Sequence, residues 1–327
     1  MVGRAVAAYL LTWFVAGALS AAENGSPSGQ PSPPELANPH QAYQLKLRPF
    51  IPIPSRPAGF LLEGRINGGA PLRLLLDSGA EFVVIGTKAA RSAALSPGSD
   101  IELTGLGNRR ARLTQAKMVE IGPISFRDCR VALVDGKVVE GADGVIPLSF
   151  FSEFLLRLDF PEKKLSLIPY PPEIRVDGAL TKSRALLVPA TLNGTQSGFV
   201  VLDTAAFSSA VSRKFAWDAG DSGRIPGIRI AAGTGSATGE VVSSAVRFQI
   251  AGQVLSPNDV VALDLSNLSR HYGMEVVGVL GFPALSAYIL TIDYRNECVK
   301  MSVKRPAASQ VESCGDRRAS GAQLAFR

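Results

Sequence analysis

The chain has 327 residues, of which 46% are hydrophobic, and its 34 basic and 28 acidic residues leave a formal net charge of +6. That length allows two domains of ordinary size with real apolar cores, and the modest charge gives no argument for nucleic-acid binding. Frequent glycine and proline (32 and 22 residues), with few long amphipathic helical patterns, predict a mainly β protein.

The first residues have the pattern of an export signal. Arg4 supplies a basic head, residues 5–19 are an uncharged apolar run, and small residues follow as far as Ala22. Because the run is short for a membrane span of about 20 residues, we expect a cleaved signal peptide over residues 1–22, with a retained membrane anchor as the alternative. The protein would then be exported, periplasmic or secreted, and would meet a membrane only through an uncleaved signal.

Two further segments are predicted to lie outside any folded domain. Residues 23–44 are rich in proline and serine, which predicts a disordered tether. We also predict that residues 305–327 form a disordered basic tail.

Cysteine and histidine are too few for several kinds of site. The cysteines are odd in number, so a fully paired framework is excluded, although Cys298 and Cys314 could form one bridge that leaves Cys129 as a buried thiol. The two histidines, His40 and His271, are far apart in the sequence. A zinc site or a Ser-His-Asp triad therefore has almost no residues to draw on, and we expect neither a metal nor a cofactor.

Two stretches of the chain repeat each other. Residues 61–80 read LLEGRINGGAPLRLLLDSGA, and residues 187–206 read LVPATLNGTQSGFVVLDTAA. Asp77 and Asp203 align at a shift of 126 (203 − 77), and the two Asn-Gly pairs share that shift (193 − 67). In each copy an Asn-Gly pair separates two apolar runs, and this pattern predicts a β-hairpin whose second strand ends at the aspartate.

The repeat continues further along the chain. Gly144-Val-Ile aligns with Gly278-Val-Leu, and Leu158-Asp-Phe aligns with Ile292-Asp-Tyr, at a shift of 134 that gives the second copy about eight extra residues. We therefore expect an N-terminal lobe over residues 45–172, a linker over 173–183 and a C-terminal lobe over 184–304. Residues 150–158 and 284–290 are each predicted to contain a short helix or a strand.

A glycine-bearing stretch lies between the two repeated blocks in each half. Gly105 and Gly107 mark it in the first half, and Gly233 and Gly235 mark it in the second. The glycine spacing does not fit a dinucleotide-binding loop, and the residues after it alternate as in a strand. Hairpin tips are the predicted structure.

The aspartate turns carry chemistry only as a pair. One Asp-Ser-Gly after a strand is an ordinary turn. If the two halves pair about a two-fold axis, however, Asp77 and Asp203 come together, share one proton and can activate a water molecule as general base and acid. Ser78 and Thr204 would orient the loops by hydroxyl hydrogen bonds, and the small residues that follow, Gly79 and Ala205, would let the two backbones approach.

These motifs resemble the aspartic peptidases, most closely the bacterial retropepsin-like aspartyl proteases. The resemblance is carried by Leu75–Ala80, Val201–Ala206, Asp143–Ile146 and Gly278–Gly281. It implies two homologous retropepsin-like β-barrel lobes in a pseudo-two-fold arrangement, with Asp77 and Asp203 as the catalytic pair of an endopeptidase.

The resemblance also implies a peptide or protein substrate beneath flap hairpins, for which Gly105, Gly107, Gly233 and Gly235 are the candidates. Because both lobes are in one chain, the site would be complete in a monomer.

Each half departs from the family pattern once. Pro147 stands where the hydrophobic-hydrophobic-Gly segment of the first half should have glycine, and Ala205 stands inside the second aspartate turn. These two changes leave open the alternative that the protein is a catalytically inactive relative of these peptidases, which binds a peptide without cutting it. A third hypothesis is an exported β-barrel in which the turn aspartates serve structure alone.

Overall fold

The computed structural model describes residues 8–9, 14–16, 41–170, 179–180, 185–216, 225–242 and 245–303. The strands of the N-terminal half are β1 (Ala8–Tyr9), β2 (Phe14–Ala16), β3 (Tyr43–Lys46), β4 (Arg48–Phe50), β5 (Gly59–Ile66), β6 (Leu72–Asp77), β7 (Val83–Gly86), β8 (Ser99–Thr104), β9 (Asn108–Ile121), β10 (Ile124–Val134), β11 (Gly144–Pro147), β12 (Phe154–Asp159) and β13 (Lys164–Pro169).

The strands of the C-terminal half are β14 (Ala179–Leu180), β15 (Leu187–Leu192), β16 (Gln196–Leu202), β17 (Ser209–Ser212), β18 (Ile225–Ala232), β19 (Gly235–Val242), β20 (Phe248–Ile250), β21 (Gln253–Leu255), β22 (Val260–Leu263), β23 (Val276–Leu280), β24 (Tyr288–Asp293) and β25 (Cys298–Val303). The helices are short: α1 (Thr87–Ser92), a 3₁₀ helix (Leu148–Phe151), α2 (Arg213–Ala216), α3 (Ser266–Tyr272) and α4 (Phe282–Leu285).

The Asn-Gly pairs form the tight turns that the sequence predicts. Asn67 and Gly68 have φ of 50° and 70°, and Asn193 and Gly194 have φ of 51° and 78°. Two successive positive φ values are those of a type I′ turn, and the turns are closed by the Gly69 N–H to the Ile66 carbonyl at 2.9 Å and the Thr195 N–H to the Leu192 carbonyl at 3.2 Å. These turns lie in the connections from β5 to β6 and from β15 to β16. The predicted hairpins before both aspartates are confirmed.

Each lobe is organised around a sheet in which the two repeated blocks are neighbours. The strand order is β2-β8-β9-β10-β7-β11-β6-β5-β4 in the first lobe and β1-β18-β19-β22-β17-β23-β16-β15-β20-β21 in the second. The strand that leads to each aspartate has a parallel partner from the later block, since β6 pairs with β11 and β16 with β23. These two partner strands, β11 and β23, are buried along their length, as expected of parallel strands covered on both faces.

A third sheet joins the lobes and locates their pseudo-two-fold axis. Its order is β14-β25-β24-β12-β13-β3, and β12 pairs antiparallel with β24. In that register Arg157 lies opposite Thr291, and these two residues are related by the repeat shift itself (291 − 157 = 134). The axis that relates the halves therefore passes through this pair. The predicted mainly β, two-lobed architecture is confirmed.

Other expectations are met only in part by the described residues. Residues 150–158 and 284–290 each contain the end of a short helix and then a strand, so both predicted alternatives occur in sequence. Strand β3 begins at Tyr43, within the last two residues assigned to the tether. Most of the signal, the tether, the linker and the tail lie outside the described residues, as does Cys314, while Cys129 is a buried free thiol. Among the described helices none is long and apolar enough to cross a membrane.

Candidate active site

Asp77 and Asp203 occupy equivalent positions at the ends of β6 and β16. Both side chains are fully buried. Each carboxylate accepts, through Oδ1, a hydrogen bond from the backbone N–H two residues later: Gly79 donates at 2.7 Å and Ala205 at 2.8 Å. These paired bonds hold both carboxyls in the same orientation relative to their turns.

The two carboxyls face one small space from opposite lobes. A Cβ built on Gly79 would lie 3.2 Å from Oδ1 of Asp77 and 3.4 Å from Oδ2 of Asp203. The Oδ2 atom of each aspartate is buried and has no hydrogen-bond partner among the described residues. These two oxygens are thus available to hold a shared proton or a reactant.

A reciprocal set of hydrogen bonds locks the two turns together. The hydroxyl of Ser78 donates to the Leu202 carbonyl at 2.6 Å and accepts from the Thr204 N–H at 3.0 Å. The Thr204 hydroxyl donates to the Leu76 carbonyl at 2.7 Å and accepts from the Ser78 N–H at 3.1 Å. The network is buried, and each lobe supplies the hydrogen-bond partners for polar groups of the other. The hydroxyls of Ser78 and Thr204, which we predicted to orient the loops, make these bonds.

Burial dominates the electrostatics of the pair. It raises the pKa of Asp77 to about 7, against the smaller opposing effects of the Gly79 N–H and the Asp203 carboxyl. For Asp203, burial and then the charge on Asp77 raise the pKa well above its ordinary range. Because two buried carboxylates in contact cannot both remain ionised, the pair still holds at least one proton at near-neutral pH and titrates as a unit.

Ala205 fits its turn without backbone strain. Among the described residues with positive φ, neither Gly79 nor Ala205 is included, so the turn does not need the freedom of glycine. The Ala205 methyl group packs in an apolar cluster with first-lobe residues such as Leu75 and Ala80. The position that the family pattern gives to glycine therefore holds alanine with its N–H bond to Asp203 intact.

Pro147 is matched by a second change in its own lobe. In the second lobe the N–H of Gly281 donates to the Ser209 hydroxyl at 3.2 Å. The repeat shifts place Pro147 and Val83 at the corresponding positions (281 − 134 and 209 − 126). The first lobe has thus lost the donor and the acceptor together, which leaves neither group unsatisfied.

The glycine-bearing stretches are the tips of two hairpins, β8–β9 (the first flap hairpin) and β18–β19 (the second flap hairpin). Gly105 and Gly107 lie in the first turn, where the Gly105 N–H donates to the Gly107 carbonyl at 2.8 Å. Gly233 lies in the second turn, and Gly235 begins β19 with φ of 150°. The tips meet, because the Gly107 N–H lies 3.5 Å from the hydroxyl oxygen of Thr234.

Sequence analysis missed two contacts between the lobes near the site. His271, on α3, places Nε2 3.4 Å from Oε1 of Glu81, and both side chains are largely buried. Glu81 comes four residues after Asp77, which is the one signal that could have marked it. Arg109, on β9, donates to the Gly233 carbonyl in the second flap hairpin at 3.1 Å, and no sequence pattern singles it out.

Comparison with known proteins agrees with this geometry. A family model described as aspartyl protease matches residues 62–150, which include Asp77. Among solved structures, the crystal structure of an aspartic proteinase from Irpex lacteus is similar with a TM-score of 0.53 and 12% sequence identity, over 80% of this chain and 97% of that chain. No curated protein matches the sequence. The predicted resemblance is confirmed, by family in the first lobe and by fold across both.

Thr204→Val tests the cross-lobe network while keeping the shape of the side chain. It leaves the Ser78 N–H and the Leu76 carbonyl buried without their partner, so we expect the free energy of unfolding to fall by about 2–4 kcal/mol. The measurement is denaturant unfolding, with Thr191→Val in β15 as the control. An equal, small loss for both variants would contradict the role given to the network.

The raised pKa values predict a pH-dependent stability. A carboxyl whose pKa is higher in the folded than in the unfolded state stabilises the fold at pH values below about 4, and this contribution is lost as pH rises towards about 7. Asp77→Asn removes it, so the Tm difference between variant and wild type should grow from pH 4 to pH 8, by about 5 °C in favour of the variant. The exposed Asp100→Asn should give a flat difference, and a flat difference for Asp77→Asn would refute the raised pKa of the buried pair.

Proposed function

We propose that this protein is an aspartic endopeptidase that hydrolyses peptide bonds with a water molecule activated between Asp77 and Asp203. The observation that carries the proposal is the buried pair of carboxyls, each oriented by a backbone N–H and presented from an equivalent turn. A purely structural aspartate turn does not require two such carboxyls in contact, since their burial costs stability at neutral pH.

The pair supplies both a base and an acid. The ionised carboxyl takes a proton from water as the water oxygen attacks the peptide carbonyl carbon, and the protonated carboxyl donates its proton to the carbonyl oxygen. The resulting tetrahedral intermediate collapses when the carboxyl that took the water proton passes it to the amide nitrogen, the other carboxyl takes back a proton from a hydroxyl of the intermediate, and the C–N bond breaks. Because the pair titrates as a unit, either carboxyl can hold the proton in the free protein.

The flap hairpins offer an edge to which an extended peptide can add. The chain's own N-terminal strands lie there: β2 pairs antiparallel with β8, at Leu103 among others, and β1 pairs parallel with β18, at Ile230. The pseudo-two-fold axis reverses the direction of β18 relative to β8. A strand that is antiparallel to β8 is therefore parallel to β18. A substrate bound by backbone pairing would follow the same rule.

The N-terminal apolar run further supports the proposal that the protein is exported and acts in the periplasm or outside the cell. A single chain contains both lobes and both aspartates, so we propose that a monomer is active.

The direct test is proteolysis of an unfolded protein and of a fluorogenic peptide library from pH 4 to pH 8. Asp77→Asn and Asp203→Asn should each lower kcat by at least about 1,000-fold, because either change removes the acid–base pair. Asp100→Asn should retain wild-type activity. Full activity in either site variant would refute the proposal, and tight binding of a statine-containing peptide without turnover would favour the peptide-binding alternative.

Exchanging the small residues of the two turns tests how much room the site needs. Gly79→Ala places a methyl group 3.2 to 3.4 Å from both carboxyls, so it should lower kcat by about 10-fold or more through displacement of the pair. Ala205→Gly, the matched change in the other turn, should leave kcat within about twofold, because the N–H bond to Asp203 does not depend on the methyl group. Equal losses in both variants would show that the turns are constrained alike.

A further inference from the structure

Arg109 connects three separate parts of the molecule that surround the flap tips. Its Nη1 donates to the Gly233 carbonyl in the second flap hairpin at 3.1 Å. Its Nη2 donates to the Asp135 carbonyl at 2.5 Å and to the Lys137 carbonyl at 3.1 Å, both in the loop between β10 and β11. One side chain on the first flap hairpin therefore holds the opposite flap hairpin and the wall of its own lobe.

These contacts are stronger than the direct contact between the tips. The bond from the Gly107 N–H to the Thr234 hydroxyl is at the outer distance limit, at 3.5 Å. The guanidinium bonds are charge-assisted, and the planar fork of arginine suits several carbonyl oxygens at fixed angles. Burial lowers the pKa of Arg109, while the charge of Asp135 opposes that effect, which agrees with contacts made partly out of water.

Other contacts indicate that the flap hairpins are closed in this structure. Leu106, at the first tip, packs against an apolar cluster of the second lobe that includes Ile230 and Leu268. Thr234, at the second tip, is 1% exposed, and Asp77 and Asp203 are fully buried. A peptide can reach the carboxyls only after the tips separate, which breaks the Arg109–Gly233 bond.

The second flap hairpin has no matching arginine. Arg109 is the second residue of β9, and the corresponding second residue of β19 is Ser236. Ser236 interacts with Arg229 of its own hairpin instead, 3.2 Å from Nη2 to the hydroxyl oxygen. The connection between the flap hairpins is thus made from one side.

We propose that Arg109 is a positioning residue that latches the two flap hairpins shut over the aspartate pair and sets the rate at which the cleft opens. The inference rests on the proposed function for its meaning in catalysis, but the latch itself is a property of the free protein. In this proposal the latch re-forms once a ligand is enclosed, so its loss should speed entry and exit together. The equilibrium affinity should change little.

Hydrogen exchange of the free protein tests the latch without any substrate. In Arg109→Ala, amide protection in segments 104–108 and 232–236 should fall about 10-fold, the effect of losing charge-assisted hydrogen bonds. Arg109→Lys keeps the charge but lacks the planar guanidinium, so its loss of amide protection should be intermediate. Arg110→Ala, one residue along the same strand and exposed, is the matched control and should leave both segments as in wild type. Unchanged protection in Arg109→Ala would overturn the latch.

Binding kinetics of a statine-containing peptide, measured by surface plasmon resonance, give the second test. For Arg109→Ala we expect both the association and the dissociation rate to rise about 10-fold, with Kd within about threefold of wild type. A merely structural role would instead weaken Kd without raising the association rate, and that result would overturn the latch. If the peptide does not bind any variant, the proposed function fails, while the exchange data still decide the latch.

Discussion

The exchange of hydroxyl hydrogen bonds between Ser78 and Thr204 is the constraint on which the site depends. Each hydroxyl donates to a carbonyl and accepts an N–H across the pseudo-two-fold axis, in four bonds of 2.6 to 3.1 Å. Neither lobe can satisfy these groups alone, because their partners lie in the other lobe. Folding of one turn in this conformation therefore requires that the other lobe be docked, which makes the two aspartate positions interdependent.

That dependence explains how the structure tolerates two buried carboxyls. Desolvation raises both pKa values, and a buried charge without compensation would favour opening of the lobes. The backbone N–H groups of Gly79 and Ala205 compensate part of this cost, and the shared proton removes the second charge. Stability and the proposed chemistry are opposed here: higher pH ionises the pair, which a general base requires, but ionisation of buried carboxyls also destabilises the fold around them.

The sequence predicted those features that depend on local pattern or on repetition. The Asn-Gly hairpins follow from the backbone preferences of two residues, and the pairing of Asp77 with Asp203 follows from a constant repeat shift. The consequences of Pro147 could not be foreseen, because Val83, which replaces the hydroxyl acceptor, is meaningful only when the strands are seen side by side. Arg109 was missed for a similar reason: its acceptors lie 26, 28 and 124 residues away, and no periodicity links them.

Fusion of the two halves in one chain is what allows this asymmetry. In a symmetric assembly of identical subunits every substitution occurs in both lobes. A proline such as Pro147 would then also have to fit at the position of Gly281. There, a Cβ would lie 2.5 Å from the Ser208 carbonyl oxygen. In the fused chain the first lobe could exchange its donor and acceptor for Pro147 and Val83 while the second kept both. The same freedom permits a single arginine at the junction of the flap hairpins, where two copies related by the axis would bring like charges together.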